Sequence, residues 1–194
     1  DTFSCYYGEI SSQAIASLRN IDLVVVHPGD DWDNLDAEKI KQLREAGRDK
    51  TVICYVTIGE DDKPPGGPPI KGEDMSGPSY VGASLVPATA NSGYPARFLD
   101  QQRLVLDDNH FLKFGPDGKP VIEKGQDGHP DENGVWGSYY VRADDPYWRA
   151  AVFKKMDAIV AMGADGFFLD TVDTASPWGD YGWTAPGMLD FVEA

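Results

Sequence analysis

The run "GADGFFLDTVDT", Gly163 to Thr174, leads an apolar triplet, Phe167-Phe168-Leu169, into Asp170 and places Asp173 three residues further on. Such a pattern reads in two ways. It is a strand stop followed by a solvated loop, or an active site at the carboxyl end of a parallel strand. Other apolar runs end similarly. The first is followed by Tyr6, Tyr7 and Glu9, the second by His27, Asp30, Asp31 and Trp32, and the third by Glu60, Asp61 and Asp62. If the strands are parallel, these ends share one rim. Carboxylates mixed with aromatic rings suit carbohydrate chemistry, because sugar hydroxyls bind carboxylates and sugar C–H faces cover Trp and Tyr. Glycoside cleavage needs two carboxyl groups, one protonated to assist the leaving group and one ionised as nucleophile or base. Carboxyls from different strands can be given the different environments that separate those roles.

Each candidate also has a structural reading. Asp170 is the expected catalytic residue, with a strand cap or hydrogen-bond anchor as the alternative. Asp173 reads as a loop-ordering or substrate-contacting group. Glu60 could bind substrate, orient Asp170 from an adjacent strand, or be a solvated loop charge. A lone His27 before Pro28 is more often a satisfied structural group than an acid or base. Trp136, Trp148, Trp178 and Trp183 are packing residues or sugar platforms. Asp165, at the opposite end of its strand from Asp170, belongs to a helix–strand turn.

The elements that would position these residues alternate. Phe3–Gly8 reads as a strand and Ser11–Asn20 as a short helix with serine at its start. Asp22–Pro28 is a near-continuous apolar strand. Asp36 caps a helix with Ile40 and Leu43 on one face and Gly47 just past its end. Thr51–Glu60 is a third strand, β-branched and aromatic. The pattern resumes with Asp145 as a cap, Pro146 at the first helical position, a stripe of Val152, Met156, Ile159 and Val160, and a stop at Gly163. Asp165–Asp170 is a fourth strand, and "GMLDFVEA" reads as part of a fourth helix. Apolar strands without alternation, each followed by a helix, predict a parallel α/β sheet covered on both faces. Right-handed crossovers leave a doubly wound sheet or a (β/α)8 TIM-type barrel. No glycine-rich dinucleotide fingerprint follows any strand, which favours the barrel. Four β/α units are half of one. The expected layout is therefore a single partial barrel over 1–194. A long Pro/Gly-rich insertion, 61–137, lies on the carboxyl face after the third strand, and "FLKFGPDGKPVIEK" within it predicts a hairpin turning at Pro-Asp-Gly.

The chain has 194 residues, 41% hydrophobic and 25% charged, a globular composition. Its net charge of −15 excludes the clustered-cation signature of a nucleic-acid binder and suits a cationic ligand or a soluble surface. No apolar run reaches the roughly 18 residues of a membrane span. "DTFSCYYG" shows neither an initiator Met nor a secretory segment, so Asp1 reads as an artificial start or the first residue after processing. Cys5 and Cys54 are expected as small buried residues, not as a disulfide. "DDWDNLD" and "DGHPDENG" do not fit an EF-hand loop, and three scattered His give no zinc spacing. No metal or cofactor is indicated.

Taken together and in this order, "VICYVTIGE", "YYVRADDPYW" and "GADGFFLDTVD" resemble glycoside hydrolase family 114, the endo-α-1,4-polygalactosaminidase-like proteins. The resemblance implies a (β/α)8 barrel, secreted or at the cell surface, that cleaves galactosamine-containing polysaccharide. It implies that Asp170 belongs to the catalytic pair, that Tyr7, Glu60 and Asp173 line the cleft, and that the partner glutamate comes from a later strand outside these residues. His27, Asp30 and Trp32 join them as rim candidates for substrate binding. The polysaccharide partner is expected to be cationic, and the missing half of the barrel or a self-association partner is a further candidate. Two other readings stay open: a non-catalytic carbohydrate-binding or cell-envelope protein, and a surface scaffold that self-assembles.

Overall fold

The computed structural model describes residues 2–29, 34–47, 49–61, 97–100, 102–104, 113–118, 121–125, 130–176 and 181–194. The chain divides into two units, Asp1–Val56 with Val152–Asp170, and Thr57–Ala151 with Thr171–Ala194. In chain order the first elements are β1 (Phe3–Tyr6), α1 (Ser12–Ser17), β2 (Leu23–Val26), α2 (Ala37–Glu45) and β3 (Thr51–Thr57). Short strands follow: β4 (Glu60–Asp61), β5 (Gln102–Leu104), β6 (Ile122–Lys124), β7 (Glu132–Asn133) and β8 (Ser138–Tyr140). Then come α3 (Pro146–Met162), β9 (Gly166–Asp170), two 3-10 turns at Val172–Ala175 and Gly182–Thr184, and α4 (Ala185–Val192).

In the first unit the strands form one parallel sheet in the order β1-β2-β3-β9. Phe3, Leu23 and Thr51 are in register, as are Tyr6, Val26 and Cys54. The helix starts follow the sequence. Ser11 Oγ accepts from the Ala14 N–H, and Asp36 Oδ1 accepts from the Lys39 N–H at 2.7 Å, each satisfying a donor the first turn leaves open. Gly47 stops α2 in the left-handed region (φ +84°), where a Cβ would lie under 3.0 Å from the Arg19 carbonyl. Asp165 occupies the helix–strand turn as expected. It accepts the Val52 N–H at 2.8 Å and pairs with Arg44, whose guanidinium also donates to the Gly163 carbonyl at 2.6 Å.

Burial corrects the expectation of a sheet covered on both faces. Along β3, Val52, Cys54 and Val56 are buried, while Thr51 is exposed and Ile53, Tyr55 and Thr57 are intermediate. This two-residue alternation marks one packed face and one open face. The packed face carries Val24 and Val26 as well, and Ile40, Leu43, Val152 and Ile159 of the helices are buried too. The open face carries Phe3, 75% exposed, with Cys5, Tyr7 and Phe168 also exposed. The absence of polar alternation in the sequence misled here because Phe3, Leu23 and Ile53 keep that face apolar; its cover is uneven, since Val25 has the same parity and is buried. Val160 of the expected helix stripe is likewise exposed, one position off the Val152–Ile159 line.

The same alternation corrects the reading of Cys5, which is exposed on β1, whereas Cys54 is fully buried on β3. Burial pushes the Cys54 thiol up to about 12, so it stays neutral and unreactive in the folded protein at any ordinary pH. A thiol reagent at pH 8 is expected to label the native chain once, at Cys5, and a second time only in denaturant. Two labels in buffer would contradict the packing of β3.

In the second unit β4, β8 and β7 form an antiparallel sheet in that order, and β5 pairs with β6. The third strand stops at Thr57 and does not run on to Glu60 as the sequence suggested. The Ile58 and Gly59 N–H groups leave the ladder and donate to Thr171 Oγ1 at 3.2 and 2.7 Å. The Pro-Asp-Gly turn forms, closed by Gly118 N–H to the Gly115 carbonyl at 3.0 Å. Asp145 caps α3 by accepting from the Tyr147 and Trp148 N–H groups, and Pro146 takes the first helical position. Trp148 is a packing residue, fully buried with its indole N–H on the Ile58 carbonyl at 2.9 Å. Among the described residues no helix is long and apolar enough to cross a membrane.

Candidate functional site

Register decides which side chains meet at the carboxyl ends of the first unit's strands. Tyr6, Val26 and Cys54 are aligned, so the next residues, Tyr7, His27 and Tyr55, fall in a row on the open face. The Tyr7 and Tyr55 rings meet edge-on with centroids 5.4 Å apart, His27 lies 5.0 Å from Tyr55, and Phe168 stacks against Tyr55 at 6.4 Å. At the end of β9, Asp170 has the parity of Phe168 and turns to the same face. The Tyr55 hydroxyl donates to Asp170 Oδ2 at 2.5 Å, a hydrogen bond to a charged acceptor of the strong kind.

Tyr7 is tuned by its neighbours. Loss of hydration, then the Cys5 thiol and the Asp170 carboxylate, push its phenol above the usual value, so it remains a protonated donor through neutral pH. His27 Nδ1 accepts the Gly29 N–H at 3.1 Å, which places the proton of the neutral ring on Nε2 and leaves that nitrogen as a donor. Asn34 fixes the two loops that carry these rings. Its Oδ1 accepts the Ile10 N–H at 2.8 Å, and its Nδ2 donates to the Gly8 and His27 carbonyls at 3.0 and 2.9 Å. Tyr7, Glu9, His27, Asn34 and Lys39 line an open cavity of about 560 Å³.

In the second unit, Glu60 is 6% exposed, and its carboxylate accepts from Ser138 Oγ and from Asn133 Nδ2 at 3.2 Å. Those partners turn it into the β4-β8-β7 sheet. Asp61 is buried against Arg97, Nε to Oδ2 at 3.1 Å. Asp173 is exposed in the Val172–Ala175 turn. Thr171, directly after Asp170, is the one non-glycine residue of positive φ among the described residues, at +63°. This is a strained conformation for a β-branched side chain. Its hydroxyl gathers Thr57 Oγ1 at 2.8 Å and the two N–H groups that leave β3. Asp30 and Trp32, together with Asp31 and Asp62, lie outside the described residues.

Of the predicted set, the structure brings Tyr7, His27 and Asp170 together in one unit. Sequence reasoning missed Tyr55, Asn34, Lys39 and Thr171. Tyr55 shares the parity of Thr51 and Ile53 in "TVICYVT", but only the strand register sets it one residue past the position in line with Tyr6.

The first unit is thus a parallel α/β sheet whose strand ends carry a carboxylate among aromatic rings. No family model matches the sequence. The solved structures it is similar to include the glycoside hydrolase domain of PelA from Pseudomonas aeruginosa, with a TM-score of 0.56 and 19% identity, and a variant of that domain at 0.57 and 19%. Both matches cover 100% of this chain and 54% of the other, so the chain spans about half the length of those domains. At this identity the likeness is one of fold. In sequence the chain is 36% identical over 67 residues to the uncharacterized protein MJ1477 of Methanocaldococcus jannaschii, covering 32% of this chain and 19% of that protein.

Proposed function

We propose that the chain carries half of a (β/α)8 barrel glycoside hydrolase that acts, outside the cell or at its surface, on galactosamine-containing polysaccharide. The observation that carries this reading is Asp170 at the carboxyl end of β9, hydrogen-bonded by Tyr55 within the row formed with Tyr7 and His27. A carboxylate there is the nucleophile or base of a two-carboxyl mechanism, and the acid is a glutamate on a later strand of the complete barrel. Tyr7 and the Nε2–H of His27 supply donors for sugar hydroxyls. Asp30 and Trp32, which follow His27 closely in the sequence, are further candidates for substrate contact. Asp173 contacts substrate, and Glu60 orders the β4-β8-β7 sheet of the second unit. A polymer of protonated amino sugars also complements a chain of net charge −15.

Tyr55 has a defined part in this mechanism: it turns Asp170 and holds it still. Tyr55→Phe keeps the ring stacking and removes the hydroxyl. It is expected to lower kcat roughly 10- to 100-fold, the equivalent of one hydrogen bond to a charged group, with KM little changed. An unchanged kcat would take Asp170 away from the reacting centre. The substrate class is tested by incubating the protein with α-1,4-linked galactosamine polymer, its fully N-acetylated form and a neutral α-1,4-glucan. Shortened chains are expected from the first. Preferential cleavage of the glucan would contradict the reading, and binding of the first without cleavage would make the protein a carbohydrate-binding module.

A further inference from the structure

The hairpin that joins β7 and β8 turns its apolar side chains outward. Trp136 is 81% exposed and Val135 67%. The turn that presents them is tightly bonded. The Trp136 and Gly137 N–H groups donate to the Asn133 carbonyl at 3.1 and 2.7 Å, and the Val135 N–H donates to Asn133 Oδ1 at 3.2 Å. Gly137 closes it at φ +74°, a conformation natural to glycine. Asn133 is anchored in turn, its Nδ2 on the buried Glu60 carboxylate. The backbone that carries the indole is thus ordered, and the ring is presented to water at a fixed point of the hairpin.

We propose that Trp136 is a stacking platform for a protonated amino-sugar unit of a polysaccharide, carried by the second unit on residues other than those grouped with Asp170. The inference rests on the substrate class proposed above. Two features of the ligand fit the indole: the apolar C–H face of the pyranose covers the ring, and the ammonium group is drawn to its π face, with Trp the best aromatic partner for a cation. Charge selects this occupant over an anionic one. From Pro130 to Val141 the charged residues are Asp131 and Glu132, both acidic, and Glu132 is exposed. An anionic lipid surface or a nucleic acid would meet the exposed Glu132 carboxylate and a net charge of −15, Asp131 being buried against the Tyr181 hydroxyl.

The test is calorimetric titration of the protein with α-1,4-linked galactosamine oligomers, using Asp170→Asn as the background so that the ligand persists. Trp136→Ala is expected to weaken binding roughly 5- to 30-fold, with Trp136→Tyr retaining most of the affinity. Because Trp136 lies in water, the thermal midpoint should not move, which separates lost stacking from lost folding. The N-acetylated oligomer should bind more weakly than the amine and depend less on Trp136. Equal affinity of the Asp170→Asn background and the Trp136→Ala variant would overturn the proposal, as would failure of that background to bind the oligomer. Trp136-dependent binding to phosphatidylserine vesicles without oligomer binding would also overturn it, in favour of a membrane contact. If binding depends on Trp136 while the wild type releases no reducing ends, the hydrolase reading fails and the platform stands.

Discussion

Asp170→Asn is expected to lower hydrolysis of galactosamine polymer by about 10⁴-fold or more, with folding intact. The amide keeps the size of the carboxylate and an oxygen for the Tyr55 hydroxyl, so the local geometry survives. What it removes is the negative charge and the nucleophilic or basic oxygen, and Tyr7 does not replace them: it stays protonated because lost hydration, Cys5 and Asp170 all push its phenol up. The measurement is kcat for the purified variant beside its circular dichroism spectrum and thermal midpoint. A variant with native stability and native turnover would remove Asp170 from the mechanism. A variant that fails to fold would make Asp170 a strand anchor held by Tyr55.

Gly59→Ala is expected to be the most damaging small substitution in the second unit. A Cβ at Gly59 would lie under 3.0 Å from the Thr171 carbonyl oxygen and from Thr174 Oγ1. The first of these is backbone and cannot swing away. Thr174 Oγ1 is itself fixed, donating to the Thr171 carbonyl at 2.9 Å. Making room pushes Gly59 off Thr171 Oγ1, which also holds Ile58 N–H and Thr57. Overpacking and the loss of partly buried hydrogen bonds together cost about 3 kcal/mol. For a chain of this size that is a fall of roughly 6 to 12 °C in thermal midpoint. The φ of Gly59 is not the reason, so a mild effect would mean that the Thr171 hub yields more readily than its bonds imply. Thr171 follows Asp170 directly in the sequence, and its backbone is left-handed.

The parts of this architecture that rest on local rules were legible in the sequence. Ser11, Asp36 and Asp145 cap helices because their side chains are short acceptors in front of periodic apolar runs. Gly47 and Gly163 stop helices in the left-handed region. The Asp165 turn, the Pro-Asp-Gly turn and the parallel arrangement of β1, β2 and β3 followed from the same reading. What was not legible depends on partners distant in sequence. The open sheet face was hidden because Phe3, Leu23 and Ile53 are apolar whether covered or not, and Cys5 was misplaced for that reason. The break after Thr57 was hidden because nothing in "VTIGE" announces that Thr171, more than a hundred residues on, will take its N–H groups. At the site, residue type revealed Asp170, Tyr7 and His27. Tyr55 and Asn34 required the register of neighbouring strands and the geometry of two loops.

The central claim is that these strand ends belong to an enzyme that cuts an amino-sugar polymer, and it is tested most directly by the time course of new reducing ends. The complete barrel, with the later strand that supplies the acid glutamate, would be given α-1,4-linked galactosamine polymer at low protein concentration near neutral pH. Linear release that scales with protein concentration, together with shortened oligomers by mass spectrometry, is the predicted result. A flat time course with tight binding of the same polymer would contradict it and leave a carbohydrate-binding protein on a barrel-like sheet.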